Sequence, residues 1–164
     1  MTTYIGIDNG VTGSIGIINN EKIQYYPIPT ITQQSYTKKK QNITRLDVKE
    51  FKNIVHTFGF YDHNILITIE RPMINPGRFV QSLSAIRCLE AVLIVIEKYE
   101  YSYQYIDSKK WQKSLLPSGL KSNELKKASM DIGIRLFPHL KREIEKQKDA
   151  DGLLIAEYCR RKYK

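Results

Sequence analysis

The sequence predicts an α/β domain with a mixed five-stranded sheet and helices on both faces. Residues 3–8, 13–19 and 22–28 read as three apolar strands joined by short turns, the pattern of an antiparallel meander. Two further apolar runs, 64–70 and 101–106, each follow a stretch of helical periodicity. A meander followed by alternating helix and strand units gives one sheet of mixed direction, covered by helices on both sides.

Each element has a local justification. Asn19-Asn20-Glu21 is a turn between the second and third strands. Residues 29–46 carry no periodicity; this polar stretch holds Lys38-Lys39-Lys40 and reads as a long connection. Asp47 can cap a helix over about 47–58, with Val48, Phe51, Ile54, Val55 and Phe58 on one face. Strand 64–70 stops before Pro72. A long helix over 79–98 places Leu83, Ile86, Leu89, Val92, Leu93 and Ile96 at apolar positions. Asp107 or Ser108 can cap a short helix through Leu116, which Pro117-Ser118-Gly119 breaks. Ser122 starts another helix that runs to about Phe137 and ends at Pro138, and a last helix covers about Asp151 to Arg161.

The 164 residues, 41% of them hydrophobic, suit one domain over 1–164 with a full core. No run of about 18 consecutive apolar residues is present, so no membrane span is expected. The chain enters a strand directly, with no basic region ahead of an apolar run, which argues against a signal peptide. Cys88 and Cys159 have no metal-ligand spacing and read as buried thiols. The formal net charge of +9 favours a polyanionic partner. Nucleic acid fits better than an anionic membrane surface, because neither a basic amphipathic helix nor a lipidation motif is evident.

The chemistry lies in the carboxylates. Tyr4-Ile5-Gly6-Ile7-Asp8 is an apolar strand with one acid at its end, and glycines follow at Gly10 and Gly13. Asn64 to Glu70 repeats the design, and Asp149 and Asp151 precede the apolar helix start Leu153-Leu154-Ile155-Ala156. A buried charge costs several kcal/mol unless it is paired or binds a metal. If the first and fourth strands are neighbours, Asp8 and Glu70 stand about 4.8 Å apart at matching strand ends. Such a pair repels unless a divalent cation bridges it. Separately, Asp8 could form a turn, Glu70 a salt bridge, and Asp149 and Asp151 a helix cap. The joint pattern is harder to derive from three unrelated causes.

Ile5-Gly6-Ile7-Asp8-Asn9-Gly10-Val11-Thr12-Gly13-Ser14, Ile69-Glu70-Arg71-Pro72 and Asp149 to Ala156 together resemble RuvC-type Holliday junction resolvases, most of all the phage-encoded branch of low-GC Gram-positive hosts. The match runs over nearly the whole chain; the first motif alone is moderately specific, and all three in order are much more so. The resemblance implies a ribonuclease H-like fold, a homodimer and a place in the bacterial host cytoplasm. It also implies Mg²⁺- or Mn²⁺-dependent phosphodiester hydrolysis at four-way DNA junctions, with two ions per site and no nucleotide cofactor. Asp8, Glu70 and Asp151 match the family's metal ligands. The family usually has Asp or His three residues before its last Asp, where this chain has Lys148; the nearest extra carboxylate is Asp149. Two residues of one helix differ by about 200°, so Asp149 can join Asp151 only from the turn before the helix.

Lys109, Lys110, Lys113 and Lys121 fall where the family contacts DNA, and lysine suits both phosphate contact and transition-state charge. Lys38, Lys39, Lys40 and Arg78 are further DNA-contact candidates. Met73 stands where many bacterial members carry an aromatic wedge, and an apolar side chain can still unstack a base step. Trp111 reads as a core anchor. Helix 79–98 is apolar enough to serve both the core and a dimer partner.

The expected function is therefore a metal-dependent endonuclease that resolves Holliday junctions. One rival is a broader structure-selective nuclease on forks and flaps. Another is an actin-like or sugar-kinase ATPase fragment, for which the chain supplies only one of two lobes. A non-catalytic DNA-binding module is the third, and it has no need of an acidic cluster.

Overall fold

Central strands that are apolar on both sides need cover on both faces, and the chain supplies it. The computed structural model describes residues 2–20, 22–59 and 64–163. In order they form β1 (Thr2–Asp8), β2 (Ser14–Ile18), β3 (Ile23–Pro27), β4 (Thr30–Gln34), β5 (Asn42–Leu46), α1 (Val48–Gly59) and β6 (Asn64–Glu70). Next come α2 (Phe79–Lys98), β7 (Ser102–Ile106), α3 (Ser108–Leu115), α4 (Ser122–Leu136), α5 (Lys141–Gln147) and α6 (Asp151–Tyr163). The main sheet has the order β3-β2-β1-β6-β7. β1 to β3 pair antiparallel, whereas β1, β6 and β7 run parallel. This is the mixed five-stranded sheet expected, with the first and fourth predicted strands side by side. Glu21 of the predicted turn and the side chain of Phe58 lie outside the described residues.

One face is covered by α1 and α2, whose Phe51, Val55, Cys88, Val92, Val95 and Ile96 pack with Ile5, Ile7, Ile15 and Ile67. The other is covered by α6, with α3, α4 and α5 around it, through Trp111, Leu116, Phe137, Ile144 and Leu153 to Ala156. Glycines set how closely α6 approaches. Gly6 and Gly16 face each other across β1 and β2. A Cβ on Gly6 would overlap the backbone of Gly152 and Ala156, and one on Gly16 that of Gly152 and Leu153. The two glycines form a slot in which the helix backbone lies directly on the sheet.

Several details differ from the sequence reading. Residues 29–46 hold a hairpin, β4–β5, in a separate two-stranded sheet. All five β4 residues are exposed, so the strand carries no apolar alternation to read. The hairpin leans on α2 and frames a groove of about 380 Å³ lined in part by Ile43, Leu46, Ala91 and Ile94. Between Pro138 and the last helix, where the sequence reading places no element, a short turn leads into α5. Asp47 does cap α1, its Oδ1 accepting from Glu50 N at 3.1 Å. Asp107 stands at the N-cap of α3 without a side-chain capping bond; its carboxylate instead pairs with Arg71 at 2.8 Å.

The buried side of α2 comprises Ser82, Cys88, Val92, Val95 and Ile96, so Leu83 and Ile86 are only half-buried. By length and composition the segment Pro76–Lys98 could cross a bilayer, with a mean hydropathy of 1.8. Here one side of it packs against the sheet, 28% of its apolar stretch is buried, and Val80 and Ile94 stay on its outer side. Cys88 and Cys159 are buried free thiols, as expected.

Candidate metal centre

The parallel register of β1 and β6 pairs Ile7 with Ile69, which brings the next residues, Asp8 and Glu70, to the same edge of the sheet. Beyond Asp8 the chain turns tightly back into β2, closed by Gly13 N to Gly10 O at 2.9 Å. Gly10 has φ +139°, and a Cβ on Gly13 would overlap the Asp8 carbonyl, so this turn depends on glycine at both places. Asn9 fastens the turn to α2, its Nδ2 donating to Ala85 O at 3.0 Å.

The third carboxylate arrives on α6. The glycine slot sets the helix depth, and Ser14 Oγ accepts from Gly152 N at 3.0 Å, satisfying one of the free amides at the helix start. Asp151, the first helical residue, is thereby brought to the end of β1. Ser129 of α4 fixes it further. Its hydroxyl donates to Asp151 Oδ1 in a short bond and accepts from Ala150 N at 3.0 Å.

Asp149 lies in the turn before α6, where it escapes the 200° separation that a shared helix would impose. Lys148 makes that turn. It ends α5 in the left-handed conformation, φ +69°, with its N–H on Ile144 O at 2.8 Å and its side chain exposed. Asp149 is 2% exposed. Tyr25 Oη donates to its carbonyl at 2.9 Å and to its Oδ1 at 3.1 Å, and Lys126 Nζ stands 3.5 Å from its Oδ2. A backbone contact from Asp151 N to Asp149 Oδ1 is long, at 3.5 Å, and makes a poor cap.

These groups share one electrostatic environment. Burial, then the charges of Asp151, Glu70 and Asp149, push Asp8 well above the ordinary carboxylate range, against a smaller pull from Lys126. Glu70 is pushed up to about 7, mainly by burial and also by Asp151, although the Trp111 N–H opposes this. Asp151 rises to about 6 through burial and Asp149, opposed by Ser129 and Lys126. Burial raises Tyr25 far enough to keep it a protonated donor.

This donor set suits a hard divalent cation. Several buried oxygens repel one another, and a cation among them would remove both the repulsion and much of the desolvation cost. Among the described residues, no three His, Cys, Asp or Glu side chains are already drawn together as a metal group. Glu70 is held by Trp111, Asp151 by Ser129, and Asp149 by Tyr25 and Lys126. A cation would have to gather oxygens that now face these donors.

A pH dependence follows. Glu70 and Asp151 have folded pKa values of about 7 and 6, above their ordinary values of 4.5 and 3.8. The folded state therefore holds protons that the unfolded state has released. Without metal, the stability that these two groups contribute should be fully present below about pH 4 and should be lost as pH rises through 6 and 7. Thermal melting in EDTA at pH 5 and pH 8 checks this: the melting temperature should be lower at pH 8, and Mg²⁺ should restore it there.

The predicted DNA-contact residues are all exposed but lie on different elements. Lys109, Lys110 and Lys113 project from α3, and Lys121 precedes α4. Arg78 and Met73, the latter 79% exposed, lie between Glu70 and α2. Lys38, Lys39 and Lys40 lie in the β4–β5 turn, on the α2 side of the sheet rather than with α3 and α4. Sequence reasoning overlooked Trp111, Ser129, Tyr25 and Lys126 as partners of the acids. The one available signal was that a buried indole N–H needs an acceptor.

The architecture is that of a ribonuclease H-like α/β domain. Among solved structures the chain is similar to RuvC of Thermus thermophilus bound to a Holliday junction substrate, with a TM-score of 0.55 and 13% identity over 99% of this chain and 97% of that one. It is also similar to Thermus thermophilus RuvC alone, with a TM-score of 0.53 and 13% identity over 98% and 96%. No family model and no curated protein matches the chain.

Proposed function

We propose that residues 1–164 form one nuclease domain, a divalent-metal-dependent endonuclease that resolves Holliday junctions. The observation that carries this is that Glu70, Asp149 and Asp151, from two other parts of the chain, stand near enough to Asp8 for their charges to raise it, with Asp8, Glu70 and Asp151 all held above the ordinary carboxylate range. The fold shared with a junction-bound RuvC supports the choice of substrate.

Asp8, Glu70, Asp149 and Asp151 would hold Mg²⁺ or Mn²⁺, two ions per site. When bound, these supply activation of the attacking water and stabilisation of the leaving oxygen. The chain's own groups do the rest. Ser129, Trp111 and Tyr25 orient the carboxylates, and the close approach of α6 to the sheet fixes the depth at which Asp151 stands. Lys109, Lys110, Lys113 and Lys121 hold phosphates beside the acids, while Arg78 and, on the α2 side of the sheet, Lys38, Lys39 and Lys40 offer separate phosphate contacts. Met73, exposed after Glu70, is placed to press on a base step. A panel of labelled four-way junction, fork, flap and linear duplex tests the reading: the junction should be cut fastest, and equal cutting of forks and flaps would favour the broader nuclease.

Phosphate contact by the α3 and α4 lysines should appear in the salt dependence. Neutralising Lys109, Lys110 or Lys121 should weaken junction binding and flatten the plot of log affinity against log salt by about one unit per lost contact. Unchanged slopes would assign these lysines to solvent.

Two incisions on symmetric strands call for two sites related by a two-fold axis, and a homodimer supplies them. The outer side of α2 suits the interface, because Phe79, Val80 and Ile94 are each more than 60% exposed. Sedimentation equilibrium at micromolar concentration should give a dimer; a strict monomer, free and on a junction, would contradict it.

A further inference from the structure

Trp111 is the only tryptophan in the chain, and it is completely buried. Its Nε1 donates to Glu70 Oε2 at 2.6 Å, a short charge-assisted bond between residues 41 positions apart. A phenylalanine or leucine could fill the same volume. What the indole adds is one N–H at a defined point, and here that point is a carboxylate at the metal centre. An N–H takes up one acceptor position of the carboxylate and leaves the others for a cation.

The element that carries Trp111 matters too. α3 presents Lys109, Lys110 and Lys113 to solvent on either side of the buried indole. The residues that lead into it are fastened to the residue after Glu70, at the end of β7 by Arg71 N to Ile106 O at 2.9 Å and at the N-cap by Arg71 Nη1 to Asp107 Oδ1 at 2.8 Å. Both members of that ion pair are more than half exposed, so the ion pair is a weak fastening, and the buried indole bond is the firmer one.

Resting on the metal-centre reading above, we infer that Trp111 is a positioning residue. It sets the Glu70 carboxylate for a divalent cation and ties the lysine-bearing helix α3 to that ligand. Groups that orient a metal ligand typically change metal affinity by about 10- to 100-fold when they are removed.

The test measures Mn²⁺ binding by calorimetry on the full chain, without DNA. Three proteins are compared: wild type, Trp111→Phe, and protein with a benzothiophene analogue of tryptophan at position 111, which keeps the volume but lacks the N–H. Loss of the N–H tether should make both substituted proteins bind Mn²⁺ about 10-fold more weakly. Paramagnetic Mn²⁺ should also quench Trp111 emission in the wild type along the calorimetric isotherm, a readout that needs no variant to fold. Wild-type affinity in the benzothiophene protein overturns the inference, whether or not Trp111→Phe is weakened, because packing alone would then suffice. Calorimetric binding without quenching also overturns it. Absence of Mn²⁺ binding by the wild type would sink the metal-centre reading itself, a result distinct from either of these.

Discussion

Asp8→Asn, Glu70→Gln and Asp151→Asn should each abolish junction cleavage while leaving junction binding intact. The three side chains keep their size, and each loses one negative oxygen from the same edge of the sheet. The cation they would hold supplies several kcal/mol of transition-state stabilisation, which corresponds to a loss on the order of 10³-fold or more in rate. Binding is expected to rest instead on the proposed phosphate contacts of Lys109, Lys110, Lys113 and Lys121. Removing a negative charge near the scissile phosphate should leave affinity unchanged or raise it. Asp8→Asn should be the most severe, because Asp8 faces the charges of Asp151, Glu70 and Asp149 together. Single-turnover cleavage and gel-shift binding on the same junction check both halves. Near-wild-type cleavage by Asp8→Asn would falsify the metal-site assignment.

The second large effect is expected at Asp149. Lys148 occupies the place where a ligand would be looked for, but its backbone is left-handed and its side chain is exposed. That turn buries Asp149 against Tyr25 and Lys126. Asp149→Asn keeps an acceptor for the Tyr25 hydroxyl, so the fold should survive. What it loses is charge, and the Mg²⁺ concentration for half-maximal activity should rise by about 10-fold. Lys148→Ala should leave the metal requirement unchanged, since an exposed ammonium binds no metal. If Asp149 served only as a cap, its Asn variant would be nearly silent, because Asn caps about as well as Asp. A Mg²⁺ titration of both variants separates the cases, and a silent Asp149→Asn would leave Asp8, Glu70 and Asp151 alone as ligands.

The parts of this architecture that were legible in the sequence are those where burial imposes a pattern. β1, β2 and β6 are almost wholly apolar because both their faces are covered, and an acid at the end of such a run stands out. The long helix α2 is marked by its length and periodicity. The hairpin β4–β5 was not legible, because it lies outside the main sheet and β4 buries nothing. Short, polar α5 buries only Ile144 and leaves almost no stripe to detect. At the site, the acids were visible but their partners were not. Ser129 and Asp151 are 22 residues apart, and Tyr25 and Asp149 are 124 apart, so only the packing of α4, α6 and β3 makes them neighbours. The geometry of residue 148 was equally hidden. A lysine with positive φ runs against local preference, and nothing in the sequence around it announces the turn.

The central claim is that this edge of the sheet works as a metal centre on branched DNA. The measurement that addresses it most directly is incubation of the purified full chain with an end-labelled four-way junction, in Mg²⁺ and in EDTA. Paired, symmetric incisions that appear with Mg²⁺ and vanish in EDTA are the expected result. An intact junction under both conditions, or cleavage that EDTA leaves unchanged, would contradict it.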